Sequence, residues 1–82
     1  MVLRENWSVS IERAEAFFAA QPDITKTERG FLFRSCRICL REDTGKVGPW
    51  PIPRIVLHME GPEEDVRAIH HRFFLRFLSA GG

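Results

Sequence analysis

Two cysteines, Cys36 and Cys39, are spaced as CxxC and are the first residues in this sequence to consider for metal or redox chemistry. Zinc-binding CxxC pairs usually lie in a turn that brings both thiolates onto one metal ion. Here the surrounding segment, FRSCRICLR, has the alternation of a β-strand and no glycine, so the two thiols are predicted to point to opposite faces. The chain contains no second CxxC and no HxxxH. We therefore expect free thiols, no metal site and no cofactor.

Cys39 is predicted to share a strand face with cationic side chains. By alternation it lies on the same side as Arg37 and Arg41, and the second predicted strand adds His58. Partly exposed, electropositive surroundings favour thiol reactivity, so Cys39 is the more reactive candidate. The sequence shows no nucleophile with a recognisable paired base and no phosphate-binding glycine loop. We expect a protein that is not an enzyme, with an activity based on Cys39 as the remaining catalytic alternative.

The same predicted face carries a cluster of positive charge. Its candidate binding residues for an anion or a partner are Arg37, Arg41, Arg54 and His58. Arg41 and Arg54 are predicted to lie nearly opposite each other, where they repel unless an anion lies between them. Alternation places Glu42 on the other face, and Glu60 is predicted at the far end of its strand. The cluster is therefore predicted to bind a carboxylate, a phosphate or an acidic partner.

Nucleic-acid binding is the alternative function for this face. If the strand continued unbroken, Phe31 and Phe33 would join the arginines, as in RNA-binding sheets that stack bases on aromatic side chains. A bulge near 34–35 would instead turn both rings into the core, and we favour that arrangement. The predicted order of elements resembles the double-stranded-RNA-binding domain in topology. That family presents lysines at the start of its last helix, whereas residues 63–65 here are acidic and would repel phosphates.

Trp50 lies in a connection, DTGKVGPWPIP, which contains two glycines and three prolines. We predict a turn at Asp43–Gly45, no regular secondary structure, and an extended, stiff segment over 49–53. Trp50 is thereby presented on a rigid support. Two interpretations are open: the indole caps an end of the core, which we favour, or it docks a partner.

Two runs with period-two alternation, about 31–42 and 53–60, must position these residues. Their apolar side chains are Leu32, Cys36, Ile38 and Leu40 in the first run, and Ile55, Leu57 and Met59 in the second. We predict an antiparallel hairpin in which Leu40 faces Ile55, Ile38 faces Leu57 and Cys36 faces Met59. The residues between them in sequence then form the opposite, cationic face.

Two helices are predicted to cover the apolar face. The first begins at Ser8 or Ser10 and ends near Ala20, because apolar residues recur at helical spacing; Leu3 and Trp7 would allow an earlier start. A short strand, 24–27, follows and leads into a tight turn at 28–30. The second helix starts after Pro62 with three acids in its first turn and runs to about 79.

The predicted core residues are Phe18, Ile38, Leu40, Ile55, Leu57, Ile69, Phe73 and Phe77, with Val66 on the same helical stripe.

Apolar side chains are left over on the second helix. Phe74, Leu75 and Leu78 exceed what one small sheet can cover, which favours self-association as a homodimer. His70 lies inside the apolar stripe, between Val66 and Phe74, and is expected to be a core histidine with one hydrogen bond, whereas His71 points to solvent. Gly81 and Gly82 are expected to end the helix.

Length and composition limit the remaining classes. Eighty-two residues, with 44% hydrophobic and 28% charged side chains, form one domain, 1–82. The net charge of +1 means that any attraction to an anion is local. No apolar run spans a bilayer, and the first residues lack the apolar core of a secretory signal, so we expect a cytoplasmic protein.

The predicted fold is α+β, in the order α-β-β-β-α, with both helices on one face of an antiparallel sheet. The predicted function is that of a small non-catalytic cytosolic interaction or regulatory domain.

Overall fold

The computed structural model describes residues 1–43, 45–47 and 50–80. Its elements in chain order are β1 (Val2–Trp7), α1 (Ile11–Ala19), β2 (Ile24–Lys26), β3 (Phe31–Phe33), β4 (Cys36–Glu42), β5 (Gly45–Val47), β6 (Trp50–Ile52), β7 (Ile55–Glu60) and α2 (Glu63–Ala80). Gly81 and Gly82, predicted to end the last helix, lie outside the described residues.

The main sheet of the described chain has five antiparallel strands in the order β1-β7-β4-β3-β2. Both helices pack on one face of it, and their buried side chains form a single core with the inward residues of β3, β4 and β7. The predicted α+β class and the placement of both helices on one face are confirmed. Within the described ranges, neither helix has the length and apolar character needed to cross a membrane.

Residues 2–7 form a strand that the sequence analysis did not predict. Leu3 and Trp7, assigned there to helical spacing, lie on the inner face of β1, and Glu5 lies between them on the same face. A separation of four residues satisfies both a helix and a strand, and the charged residue in the middle hid the alternation. The first helix therefore starts only at Ile11, where the Ser10 hydroxyl accepts a hydrogen bond from the Arg13 amide at 3.3 Å. Of the two predicted caps, Ser10 is the one used.

The predicted continuous strand over 31–42 is broken by a two-residue turn. Phe33 pairs with Cys36, and Arg34 between them adopts a positive φ of 55°. Because the chain reverses there, Phe31 and Phe33 lie on the core side of the sheet and are buried. The expectation that both rings enter the core is confirmed, through a tight hairpin rather than a bulge. Leu32, predicted on the apolar face with Cys36, instead lies on the opposite face, where it pairs with Arg37, because the turn interrupts the alternation. Asp65 of α2 holds this turn in place. Its carboxylate accepts a hydrogen bond from the Ser35 amide at 3.3 Å and lies 3.5 Å from the Arg34 guanidinium.

The predicted pairing of the two central strands is wrong by two residues. Leu40 pairs with Leu57 and Ile38 with Met59, whereas Ile55 lies opposite Glu42. A shift of two keeps every side chain of β4 and β7 on its predicted face, which is why the alternation alone could not reveal it.

The connection between β4 and β7 was predicted to have no regular secondary structure, and this is also wrong. Its backbone forms a separate two-stranded antiparallel sheet in which Gly45 pairs with Ile52 and Val47 with Trp50. Pro51 is tolerated because each strand of an isolated hairpin has an unpaired edge. Thr44, in the predicted turn, lies outside the described residues, and so does the side chain of Trp50.

Two further predictions about packing are confirmed. The short strand near 24–27 is β2, and the inward stripe of α2 is buried: Val66, Ile69, Phe73 and Phe77. Of the predicted core residues, Leu40 alone is partly rather than fully buried. In the turn after β2, a Cβ on Gly30 would lie 2.1 Å from the carbonyl oxygen of Ile38, so the close approach of this turn to β4 requires glycine.

Candidate anion-binding site on the open sheet face

The sheet face opposite the helices carries the candidate site, and we call it the open sheet face. Its side chains lie in three rows across the strands. The rows are Val2–Glu60–Arg37–Leu32–Thr25, then Arg4–His58–Cys39, then Asn6–Val56–Arg41. Strand alternation places every one of these residues opposite the core side chains of its own strand.

One end of this face is a concavity of about 360 Å³ that contains two arginines. Arg4 of β1 and Arg41 of β4 line it, together with Val56, His58 and Cys39. Both arginines are exposed, and among the described residues neither has a carboxylate partner. From a strand spacing of about 4.8 Å and a rise of about 3.4 Å per residue, their Cα atoms are about 12 Å apart. Two arginine side chains at that separation can reach one anion between them.

The other end of the face is compensated internally. Arg37 lies directly opposite Glu60, with Nη2 3.4 Å from Oε1, and His58 Nε2 lies 3.7 Å from Oε2 of the same carboxylate. Glu60 was predicted to lie at the far end of its strand, and the two-residue shift in register instead brings it opposite Arg37. A second concavity of about 560 Å³ lies here and is lined by Glu28, Arg29, Arg37 and Glu60 among others.

The structure brings together three of the five predicted binding residues. Arg37, Arg41 and His58 share the open sheet face, as predicted. Arg54 lies just before β7, where its carbonyl accepts from the Asp43 amide at 2.9 Å, so it does not oppose Arg41. The binding role of Trp50 stays a prediction because its side chain lies outside the described residues.

Arg4 is the residue that sequence reasoning missed. It was given no role there because β1 was not recognised as a strand. The sequence did contain a strand signal, since Leu3, Glu5 and Trp7 alternate with Arg4 and Asn6. Leu3 and Trp7 are also four residues apart, as on a helix, and this spacing concealed the period of two.

The two thiols lie in different surroundings. Cys36 faces the core with no exposed surface, and burial raises the pKa of its thiol. Cys39 is half-buried on the open sheet face and pairs across the strands with His58. In the part of the chain that the structure describes, no three His, Cys, Asp or Glu side chains come close enough to hold a metal ion.

A polar cluster joins α2 to the edge strand β1 on the helix side of the sheet. The Glu5 carboxylate lies 2.7 Å from His70 Nε2 and accepts a hydrogen bond from the Trp7 indole at 3.1 Å. His70 is thus a half-buried histidine with a hydrogen-bond partner, as expected. Glu5 is a charged residue that points inward from an edge strand, a feature that opposes pairing of that edge with another strand.

The outer side of α2 exposes the apolar residues predicted for self-association. Phe74 is 38% exposed, Leu75 56% and Leu78 55%. Phe74 also contacts Trp7 edge-on, with ring centroids 6.1 Å apart, so this α2 patch continues to the end of β1.

Comparison with known proteins gives no match: no family model, no curated protein and no solved structure is significantly similar to this chain.

Proposed function

We propose that this protein is a small non-catalytic cytosolic interaction domain that binds an anionic group of a protein partner on its open sheet face. A second, weaker contact between two copies is assigned to the α2 patch.

One observation carries the proposal. Arg4 and Arg41 both face the concavity at one end of the open sheet face, and the described residues supply no carboxylate for either of them. Arg37, two residues along the same strand from Cys39, is paired with Glu60. Uncompensated charge is therefore concentrated where there is also a recess for a ligand. A bound carboxylate or phosphate would relieve the repulsion between the two guanidinium groups and gain charge-assisted hydrogen bonds.

Nucleic-acid binding is a less favoured alternative on this surface. Stacking bases on a sheet requires aromatic side chains on its open face. Phe31 and Phe33 lie in the core instead, and the described side chains of the open sheet face include no aromatic residue other than His58. The affinity for nucleic acid would depend on phosphate contacts alone.

Self-association is proposed through the α2 patch rather than through the edge of β1, because Glu5 protects that edge. A stable interface buries about 800 Å² per partner. Three partly exposed side chains provide only part of this area, since even a large aromatic residue buries about 150–250 Å². We therefore expect a weak homodimer that forms at high protein concentration.

The test of anion binding is a titration with inorganic phosphate and then citrate, followed by amide chemical shifts. We expect shifts in β1, β4 and β7 around Arg4, Cys39 and Arg41, with an affinity that falls as salt is added. Arg41→Glu should abolish them. Arg76→Glu is the matched control, because it makes the same charge change on an exposed arginine of α2, on the other side of the sheet. Shifts confined to the helices, or unchanged in Arg41→Glu, would contradict the proposal.

A further inference from the structure

The open sheet face is electrostatically divided along the strand direction. Among the described residues, those lining the concavity at the Arg4–Arg41 end include two arginines and no carboxylate. The concavity at the Arg37–Glu60 end contains two arginines and two glutamates, so its formal charges cancel. The two recesses adjoin, because Cys39 and His58 line both of them. Together they form a trough with one cationic end and one neutral end.

The length of the trough is set by the strand it follows. Arg41 and Arg37 are four residues apart on β4, which is about 14 Å at a rise of about 3.4 Å per residue. An extended segment of about five residues covers that distance. Leu32, half-buried in the neutral recess, offers apolar surface to an uncharged side chain beside the charged groups, whereas Val56 in the other recess is only 8% exposed.

We infer that the trough binds an extended acidic peptide whose carboxylates are clustered at one end. Two adjacent acidic residues would lie against Arg4 and Arg41. Small or uncharged residues would then cross Cys39 and His58 to the neutral end. The peptide thus neutralises the two arginines that have no carboxylate partner among the described residues, without bringing a carboxylate to Glu60.

A uniformly charged polymer fits the same trough poorly. Evenly spaced phosphates that reached Arg4 and Arg41 would also bring negative charge beside Glu28 and Glu60. Because Arg29 and Arg37 are already offset by these two glutamates, the phosphates would gain no net attraction at the neutral end. The distribution of charge therefore favours a segment of a protein over a nucleic acid, and for a peptide it favours one orientation.

The inference rests on the proposed function, since it assigns a ligand class to the same arginines. The probes are two capped pentapeptides of identical composition, Asp-Asp-Ala-Ser-Ala with clustered acids and Asp-Ala-Ser-Ala-Asp with separated acids, and a five-residue thymidine oligonucleotide. Changes in amide chemical shift during each titration give the affinity of the probe and the residues near which it binds. We expect the clustered peptide to bind about fivefold more tightly than the separated one, because it places two carboxylates rather than one on the unpaired arginines.

Two variants make the test specific. Arg41→Gln should remove the preference for the clustered peptide, because a single unpaired arginine remains. Arg37→Gln is the matched control on the same strand and the same face. It removes the guanidinium beside Glu60 and leaves that carboxylate with His58 at 3.7 Å, so it should preserve or increase the preference by repelling the second acid of the separated peptide.

The outcomes separate the two proposals. If no probe, including phosphate, shifts the open sheet face, the proposed function fails. If anions bind there but the separated peptide or the oligonucleotide binds as tightly as the clustered peptide, the inference of a polar trough is overturned while the anion site stands. A clustered peptide whose preference survives Arg41→Gln would also overturn the inference.

Discussion

Replacing Phe73 by alanine tests the packing that positions the open sheet face. Phe73 has no exposed surface and lies among aromatic rings from three elements. Its ring centroid is 5.1 Å from Trp7 of β1, 5.5 Å from Phe18 of α1 and 4.6 Å from Phe77 of α2. It is thus the side chain at which both helices and the edge strand meet.

The expected loss follows from that environment. Truncating a buried phenylalanine costs about 3–5 kcal/mol, and the cost rises when the surroundings cannot collapse into the cavity. The neighbours of Phe73 belong to three separate elements, so relaxation would require several of them to move together. We therefore expect about 4 kcal/mol. A chain of 82 residues has a total stability of roughly 4–12 kcal/mol, at about 0.05–0.15 kcal/mol per residue, so the variant loses at least a third of it.

The measurement is urea unfolding followed by far-UV circular dichroism. With an m-value of about 1–2 kcal/mol per M, a loss of about 4 kcal/mol lowers the midpoint by about 2–4 M. Phe74→Ala is the matched control, since it removes the same side chain one position along α2 where the ring is 38% exposed. It should cost about 1 kcal/mol. Equal losses in the two variants, or a loss below about 1.5 kcal/mol for Phe73→Ala, would refute the assignment of Phe73 as the centre of the core.

Three further predictions concern the surface and the ionisable groups. In light scattering at high concentration, the Leu78→Asp variant should have a lower apparent mass than the wild-type protein. A wild-type protein that is monomeric at every concentration would end the self-association proposal. Arg72 donates two hydrogen bonds to Asp23 at 2.9 Å, which lowers the pKa of that carboxyl from its ordinary 3.8. The resulting stabilisation is complete above about pH 5 and is lost as the pH falls through the lowered pKa, so acid unfolding should start at higher pH without Arg72; an unchanged onset would show that the pair is irrelevant. A thiol reagent at pH 8 should label Cys39 and spare buried Cys36 until urea is added, and equal labelling of the native protein would show that β4 is oriented differently.

The sequence by itself determined which way most side chains point. The alternation in β4 and β7 placed Ile38, Leu57 and Met59 in the core and Arg37 and Arg41 on the open sheet face. The helical spacing in α2 likewise identified Phe73 and its neighbours as buried. These predictions succeed because the direction of a side chain within a strand or a helix is a local property with a fixed period.

Only the tertiary structure decided which of these side chains meet. Glu60 lies opposite Arg37 because the two central strands pair with a register that local alternation cannot specify, since a shift of two residues leaves both faces unchanged. Arg4 joins Arg41 because β1 pairs with β7 from more than fifty residues away in sequence. The net charge at a site depends on such non-local pairings. The sequence alone therefore identified a cationic face, whereas the pairing of the strands determined which of its arginines have no carboxylate partner among the described residues.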